Sequence, residues 1–465
     1  MILNRKGHGY NQSFQSIFDL HSLGRLKPGV IKQTDFKRTL ILSTMEKRMQ
    51  INVETEIGTL NGVILHSPGA EVENMTPKNA QRALYSDILN LSVARKEYSQ
   101  LYGVLSRVCQ TYQVGDLLVD VLSNPVAKEE LINVICKHEN ALSLRDELMG
   151  VPTRELARLL VEGLPLHRNS LTSFLSQERF SLPPLYNFYF TRDAAISVYN
   201  EVLIGKMANM VRDRESIIME AIFNKSGRFE TSTINPMLFN DNSEITIEGG
   251  DVLIARHDIM LIGNSCRTTT KGIDFIINRL ISSGDKSRRY VLVQELPHKP
   301  ESFIHLDMVF TFLNADECMV FEPIILSPNR FQTVLITIDN GKVQEIKTVD
   351  NILVALRDLG MSLKPIICGG TIDPWTQERE QWHSGANFFA FGPGKVIGYA
   401  RNIYTMEEMN RNGYEIIKAK DVIANRIDPL AYKKCVVTID GSELPRGGGG
   451  ARCMTMPVNR QSVRW

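Results

Sequence analysis

From Glu56 onward the apolar and polar positions follow a regular pattern that changes character twice along the chain. Thr59–His66 reads as a turn running into a strand, closed by Ser67-Pro68-Gly69. From Leu91 to about Arg179 the period becomes helical, with Ala94, Tyr98, Leu101, Leu105 and Val108 on one face. Asn124-Pro125 predicts a capped helix start with proline at the first helical position, and Thr153 with Glu155 predicts another; Gly163 predicts a stop. Beyond Pro184 short apolar runs flank polar turns, the mark of hairpins. They pair Ala194–Tyr199 with Val202–Ile204, Val252–Ala255 with Ile259–Ile262, Met308–Phe312 with Cys318–Phe321, and Phe388–Phe391 with Lys395–Tyr399. Helical stretches follow several of them, as at Arg212–Phe223 and Lys271–Ile281.

The hairpins are led by Asp193, Asp251, Asp307 and Asn387, and the three aspartates stand roughly 55–60 residues apart, the period of a repeated supersecondary unit. With the strand near Val63 the count reaches about five units. If each unit presents the same end, the aspartates converge on one axis. One aspartate alone reads more simply as a turn former. Three at equivalent positions, two of them beside another ionisable residue, argue for a site. Cys453 comes last, on Arg446-Gly-Gly-Gly-Gly-Ala-Arg-Cys-Met-Thr-Met-Pro457. Glycines let backbone approach a ligand closely, and Arg452 favours the thiolate. The spacing of a phosphate-cradling loop is absent. A flexible tail is the other bland alternative, and taken alone the stretch leaves a reactive and a buried cysteine equally open.

Composition narrows the class. The 465 residues are 43% hydrophobic, enough for one large domain or two to three ordinary ones. Lys and Arg total 53 against 52 Asp and Glu, a net charge of +1, which argues against nucleic acid or an anionic membrane as a partner. No apolar run approaches the roughly 18 residues of a membrane-spanning helix. Seven cysteines without a Cys-x-x-Cys pair fit neither a disulfide framework nor a zinc ribbon, so a reducing cytoplasm is expected. Residues 1–44 are basic, short of acidic residues and lack a secretory apolar core. A transit peptide fits them. So does the simpler expectation of a leader that is disordered or not normally translated, with the start at Met45 or Met49.

The lead-in motifs are Phe190-Thr-Arg-Asp193, Glu248-Gly-Gly-Asp251 and His305-Leu-Asp307. In an extended segment His305 and Asp307 would share a face. Without paired histidines, His-Glu-x-x-His or a cysteine pair, no metal site is expected. A Cys–His–Asp thiol hydrolase needs one carboxylate to orient the histidine, and here there is a surplus. Surplus carboxylates repel a thiolate unless a cation lies between them. A substrate guanidinium, planar and always protonated, meets that need.

These segments resemble the arginine deiminases of the guanidine-modifying superfamily. The resemblance rests on Asn187-Phe-Tyr-Phe-Thr-Arg-Asp193, Glu248-Gly-Gly-Asp251, His305-Leu-Asp307 and Arg452-Cys-Met-Thr-Met-Pro457, in that order. Arg379-Glu-Gln-Trp382 with Asn387, and Pro68-Gly-Ala-Glu-Val-Glu-Asn74, add to it, so that it covers Glu56 to Trp465. It implies a five-bladed, pseudo-symmetric α/β-propeller with an inserted all-helical bundle domain. Residues 45–90 would begin the catalytic propeller, 91–180 form the insert and 181–465 complete it. The resemblance further implies Cys453 as nucleophile, His305 as general acid and base, and Asp193 and Asp307 as the grip on the guanidinium, with Glu248 beside the histidine. Arg212 and Arg267 would hold the substrate carboxylate, and Asn187, Phe190 and Gly447 would contact the substrate. Some members carry an arginine where this chain has Gly448, with Arg446 two residues earlier. The implied reaction converts free L-arginine to L-citrulline and ammonia through a cysteine thiouronium, with no metal or organic cofactor. A cytoplasmic homo-oligomer is expected. An amidinotransferase using the same thiouronium, and a non-catalytic propeller used for binding, are the alternatives.

Overall fold

The computed structural model describes residues 48–76, 87–238 and 244–465, so the leader expected over 1–44 lies outside the described residues. Within them one three-stranded pattern recurs. Val252–Arg256 turns back as Ile259–Asn264, the helix Thr270–Ser282 crosses over, and Arg289–Glu295 returns parallel to the second strand. Only a crossover of a dozen or more residues can join parallel neighbours, which is why a helix stands at that point. The same order holds for Ala195–Val198, Glu201–Ile204 and Thr233–Ile234 around the helix Asp213–Lys225. It holds again for Phe310–Asn314, Glu317–Val320 and Lys364–Ile367, and for Phe389–Gly392, Lys395–Tyr399 and Cys435–Ile439. The fifth instance joins both ends of the sequence: Met456–Arg460 lies antiparallel to Leu60–Leu65, which pairs in parallel with Gln110–Gln113. The whole is a mixed α/β fold.

The middle strands are buried on both faces. Ile259–Ile262 and Cys318–Val320 are therefore unbroken apolar runs rather than alternating ones. Burial pushes the Cys318 and Cys435 thiols up, as suits small buried hydrophobes in strands.

Several strands are not marked by the apolar pattern of the sequence, two of them informative. Gln110–Gln113 lies within the stretch read as helix after helix, yet it is a strand. Its Gln-Thr-Tyr-Gln has no apolar alternation, and it is specified by the backbone ladder to Gly62–Leu65. The helix Leu91–Val108 before it is thus the crossover of the fifth unit. The hairpin Thr333–Asp339 and Lys342–Val349 extends the Val252 sheet to five strands, and its outer strand is solvated on both faces.

Helices Val114–Leu122, Pro125–His138, Arg145–Gly150 and Thr153–Glu162 follow. Asn124 caps the second as expected, its side chain accepting from Val126 N at 3.0 Å and Ala127 N at 3.2 Å, with Pro125 first in the helix. Their apolar faces do not close on themselves. Leu118, Ile132, Ile135 and Leu160 share one buried cluster with Ile218, Ile222 and Phe223 of Asp213–Lys225. Each such side chain contributes about 1.5–3 kcal/mol by burial. The helices therefore brace the element whose N-terminal end carries Arg212.

Candidate active site

Each of three hairpins is led by a single helical turn that carries an expected acidic residue. Asp193 lies on Thr191–Ala194, Asp251 on Gly249–Asp251 and Asp307 on Leu306–Met308. These turns meet in succession. Gly249 lies so close to the Arg192 carbonyl that a Cβ there would be 2.0 Å from its oxygen. Leu306 N donates to Asp251 Oδ1 at 2.9 Å, and Asn387 Nδ2 donates to the Asp307 carbonyl at 3.1 Å. Arg452 N and Cys453 N donate to Asn387 Oδ1 at 2.9 and 3.3 Å, and Arg192 N donates back to the Cys453 carbonyl at 3.1 Å.

Of the ten expected site residues, nine line one small cavity of about 30 Å³; Asp307 is not among the lining residues, but its carboxylate lies 3.8–4.0 Å from Cys453 Sγ. The nucleophile candidate is buried, and Asn387 Nδ2 donates to its sulfur at 3.2 Å. Burial, Asp307 and Asp193 push the Cys453 thiol well above its usual range, so it is protonated at neutral pH. His305 Nε2 pairs with Glu248 Oε2 at 3.0 Å, and its Nδ1 faces Asp193 Oδ1 at 3.8 Å. Neither of those last two atoms has a hydrogen-bond partner, although both are buried. Burial works to lower the imidazole pKa, but Asp193, Glu248 and Asp251 outweigh it and raise His305 to about 9. It is therefore an imidazolium at neutral pH. Burial likewise works to raise Glu248, and Arg267, His305 and Arg212 hold it down.

The two arginines differ. Arg212 is engaged by protein carboxylates: Nη1 donates to Asp193 Oδ2 at 2.9 Å, while Nε and Nη2 donate to Glu215 at 2.8–3.3 Å. Arg267 comes no nearer than 3.7 Å to Glu248 and lines both the small cavity and an adjoining cleft of about 730 Å³. Ile304, Gly447 and Gly448 also border both spaces. Gly449 is required by close approach, since a Cβ there would lie 2.4 Å from Phe190 Cε1 and 3.0 Å from Cys453 Cβ. At Gly448 a Cβ would meet nothing within 4 Å. Arg446 turns instead to Asp87, with Nε at 3.0 Å from Oδ2, and to Glu443.

Asp193, Glu248 and His305 form the one group among the described residues whose ligating atoms would suit a metal ion, all within 4.8 Å of one another. The electrostatics do not suit a dication. Arg212 and Arg267 already stand within 4 Å of these carboxylates, and the imidazole is itself protonated.

Two expectations need correction. His305 and Asp307 do not share a face of a strand: His305 is extended, but Leu306–Met308 is a 3-10 turn, and that turn aims both side chains at the site. Asp251 does not converge with the other aspartates on the cavity; Leu306 N and Ser265 Oγ (2.6 Å) take its oxygens, and it shapes the His305 turn instead. Three residues that the site uses carry no expected role from the sequence. Asn387 stands at the fourth lead-in position, which was the available signal. Glu215 sits three residues after Arg212, a spacing that pairs side chains on a helix. No local pattern marked Glu56, which lies 396 residues from its partner Arg452.

The arginine deiminase family profile matches residues 81–460. An arginine deiminase of Bacillus cereus is 32% identical over 432 residues, 89% of this chain and 99% of that one. One from Lactococcus lactis subsp. cremoris is 32% identical over 431 residues, with the same shares covered. Among solved structures, AgrE with ornithine and NAD+ gives a TM-score of 0.48 at 13% identity; the match covers 87% of this chain and 40% of that longer one. With a profile spanning most of its length and near-complete relatives of this identity, the chain belongs to the arginine deiminase family.

Proposed function

We propose that this protein hydrolyses the guanidinium of free L-arginine to L-citrulline and ammonia through a covalent thiouronium on Cys453. The observation that carries the proposal is the buried, unpaired Asp193 Oδ1, facing the same cavity as Cys453 and His305. A buried acceptor without a donor is costly, and a guanidinium supplies that donor.

Asp193 and Asp307 hold the guanidinium flat and cationic, which makes its central carbon electrophilic. The arriving positive charge offsets the two carboxylates and lowers the Cys453 thiol, which loses its proton to solvent as the substrate seats. The thiolate attacks the carbon and gives a tetrahedral adduct. His305, already protonated, delivers its proton to the departing amino group, and ammonia leaves. The neutral imidazole then takes a proton from water, the resulting hydroxide adds to the thiouronium carbon, and collapse breaks the C–S bond and frees citrulline as the adduct's hydroxyl proton passes to the departing sulfur, restoring the Cys453 thiol. Glu248 steadies the imidazolium through Nε2. Arg267, the less engaged of the two arginines, meets the substrate carboxylate; Arg212 adds one Nη1 donor to it while keeping Asp193 oriented. Asn187, Phe190 and Gly447 bound the pocket. A cavity of about 30 Å³ has room for about one water, so arginine enters from the cleft only when the wall at Ile304, Gly447 and Gly448 moves.

The same reading takes the five strand units as blades of a five-bladed propeller around the cavity, supported by the succession of contacts between their leading turns. Helices from Val114 to Glu162 form the inserted bundle, a narrower insert than 91–180, while Leu91–Val108 belongs to the fifth blade beside the catalytic segments 45–90 and 181–465. No helix among the described residues is long and apolar enough to cross a membrane, and the proposed setting is the cytoplasm. A homo-oligomer finds support in Leu171, Phe174 and Leu175, each about two-thirds exposed or more on one short helix.

Product identification tests the assignment. Purified protein incubated with free arginine should release citrulline and ammonia in equal amounts. Ornithine appearing only when an acceptor amine is added would mark amidino transfer, and no product at all would leave a binding protein.

A further inference from the structure

A second charged cluster lies against Asp307, and the reaction above does not use it. Arg452 is fully buried, and all of its donor nitrogens are engaged. Nε donates to Glu56 Oε2 and Nη2 to Glu56 Oε1, both at 3.0 Å, a bidentate fork, and Nη2 also reaches the Val252 carbonyl at 2.8 Å. Nη1 donates to Asp307 Oδ2 at 2.8 Å. Glu56 is pinned in turn by the backbone of Ile254, its N–H donating to the Ile254 carbonyl at 2.8 Å. Two further buried arginines flank the pair: Arg192 Nε donates to the Arg452 carbonyl at 3.3 Å, and Arg460 donates to the Gly58 carbonyl at 2.8 Å. Burial works to raise the Glu56 carboxyl, yet Arg452, Arg192 and Arg460 hold it down at about 2, so it is an anion throughout the working range.

One guanidinium is thus divided between two carboxylates, one of which touches the reacting sulfur. We infer that Glu56 and Arg452 are positioning residues of the reaction: Arg452 fixes the orientation of Asp307, and Glu56 sets how much of the Arg452 charge reaches Asp307 and Cys453. This rests on the activity proposed above. The division matters because Asp307 has two conflicting tasks. It must remain anionic enough to hold the substrate cation, and weak enough at the sulfur for a thiolate to form. With all of the Arg452 charge directed at it, Asp307 would hold arginine poorly. With none, it would suppress the thiolate.

The test uses the full chain. Glu56→Gln keeps the shape and removes one charge, so the Arg452 field falls more fully on Asp307 and on the sulfur. The groups that face that sulfur are Asp193, Asp307, Arg452 and Tyr399, with Asn387 donating to it, and the His305 imidazolium, Glu248, Arg212 and Arg267 line the same cavity and are common to all the variants. Two consequences of opposite benefit follow. KM for arginine rises about tenfold, and the pH midpoint for iodoacetamide alkylation of Cys453, read by mass spectrometry on its own peptide without substrate, falls by about one unit. The double variant Glu56→Gln with Arg452→Gln deletes both charges of the pair and leaves Asp307 bare, so the midpoint rises above wild type. Glu56→Asp restores KM towards the wild-type value. A loosened fold would shift both midpoints in one direction, since both variants would expose the thiol. Shifts of the same sign, or no shift in either variant, overturn the inference. Because alkylation needs no turnover, an absence of citrulline from the wild-type enzyme would sink the assigned activity without deciding this question.

Discussion

Replacing Asp193 with asparagine preserves shape and deletes one charge at the position that carries the functional assignment. The fold should survive, since Arg212 keeps its fork to Glu215 and its proximity to Glu248. The bound guanidinium loses a charge-assisted hydrogen bond worth about 1.5–3 kcal/mol. An interrupted buried ion pair costs about 3–5 kcal/mol when one partner is left behind. Between these limits, at about 1.4 kcal/mol per tenfold, kcat/KM should fall by about 10-fold to about 4,000-fold. A second effect is independent of the first. Although burial is the largest influence on His305 and acts to lower it, Asp193 leads the influences that raise it to about 9. The reaction needs the imidazolium, so rate falls as pH rises through that pKa. In Asp193→Asn this alkaline limb should move to lower pH. Citrulline formation followed from about pH 6 to about pH 10 reads both effects. A variant with kcat/KM within tenfold of wild type and an unmoved alkaline limb would refute the placement of Asp193 at the substrate cation.

Cys453→Ala should produce no citrulline while still binding arginine in calorimetry; residual turnover near the wild-type rate would contradict covalent catalysis. His305, raised from 6.5 to about 9, stabilises the fold fully below pH 6.5 and loses that contribution as pH climbs through 9. Urea unfolding should therefore show a loss of ~3 kcal/mol between about pH 6 and about pH 10 that His305→Gln largely removes. Gly449→Ala forces a methyl into the space held by Phe190 and Cys453. It should cost ~1–3 kcal/mol of stability and depress kcat more than binding, which thermal melts and steady-state kinetics would separate. Asn124→Ala removes two cap hydrogen bonds at a residue that does not line the cavity; a loss of ~1 kcal/mol with unchanged kinetics is expected.

Much of this protein is legible in its amino-acid order because the relevant forces are local. A hairpin announces itself through apolar runs around a polar turn, and the repeat of Asp193, Asp251 and Asp307 exposes the recurring unit. The Asn124 cap depends on its immediate neighbours. Cys453, His305 and Glu248 stand in segments that resemble those of the arginine deiminases, and it is that resemblance, rather than any local pattern, that gave them their roles. What local order left undecided depends on partners remote in sequence. Gln110–Gln113 is a strand because Gly62–Leu65 offers it a ladder, not because of its own side chains. Asp251 and Asp307 occupy equivalent positions, yet one supports a turn and the other faces the sulfur, and only their hydrogen-bond partners distinguish them. Arg212 proves to be tied to Glu215, and Arg452 to Glu56, because a buried guanidinium must find carboxylates wherever the fold brings them. Charge in a low-dielectric interior is settled by neighbours in space, and those neighbours exist only once the chain has folded.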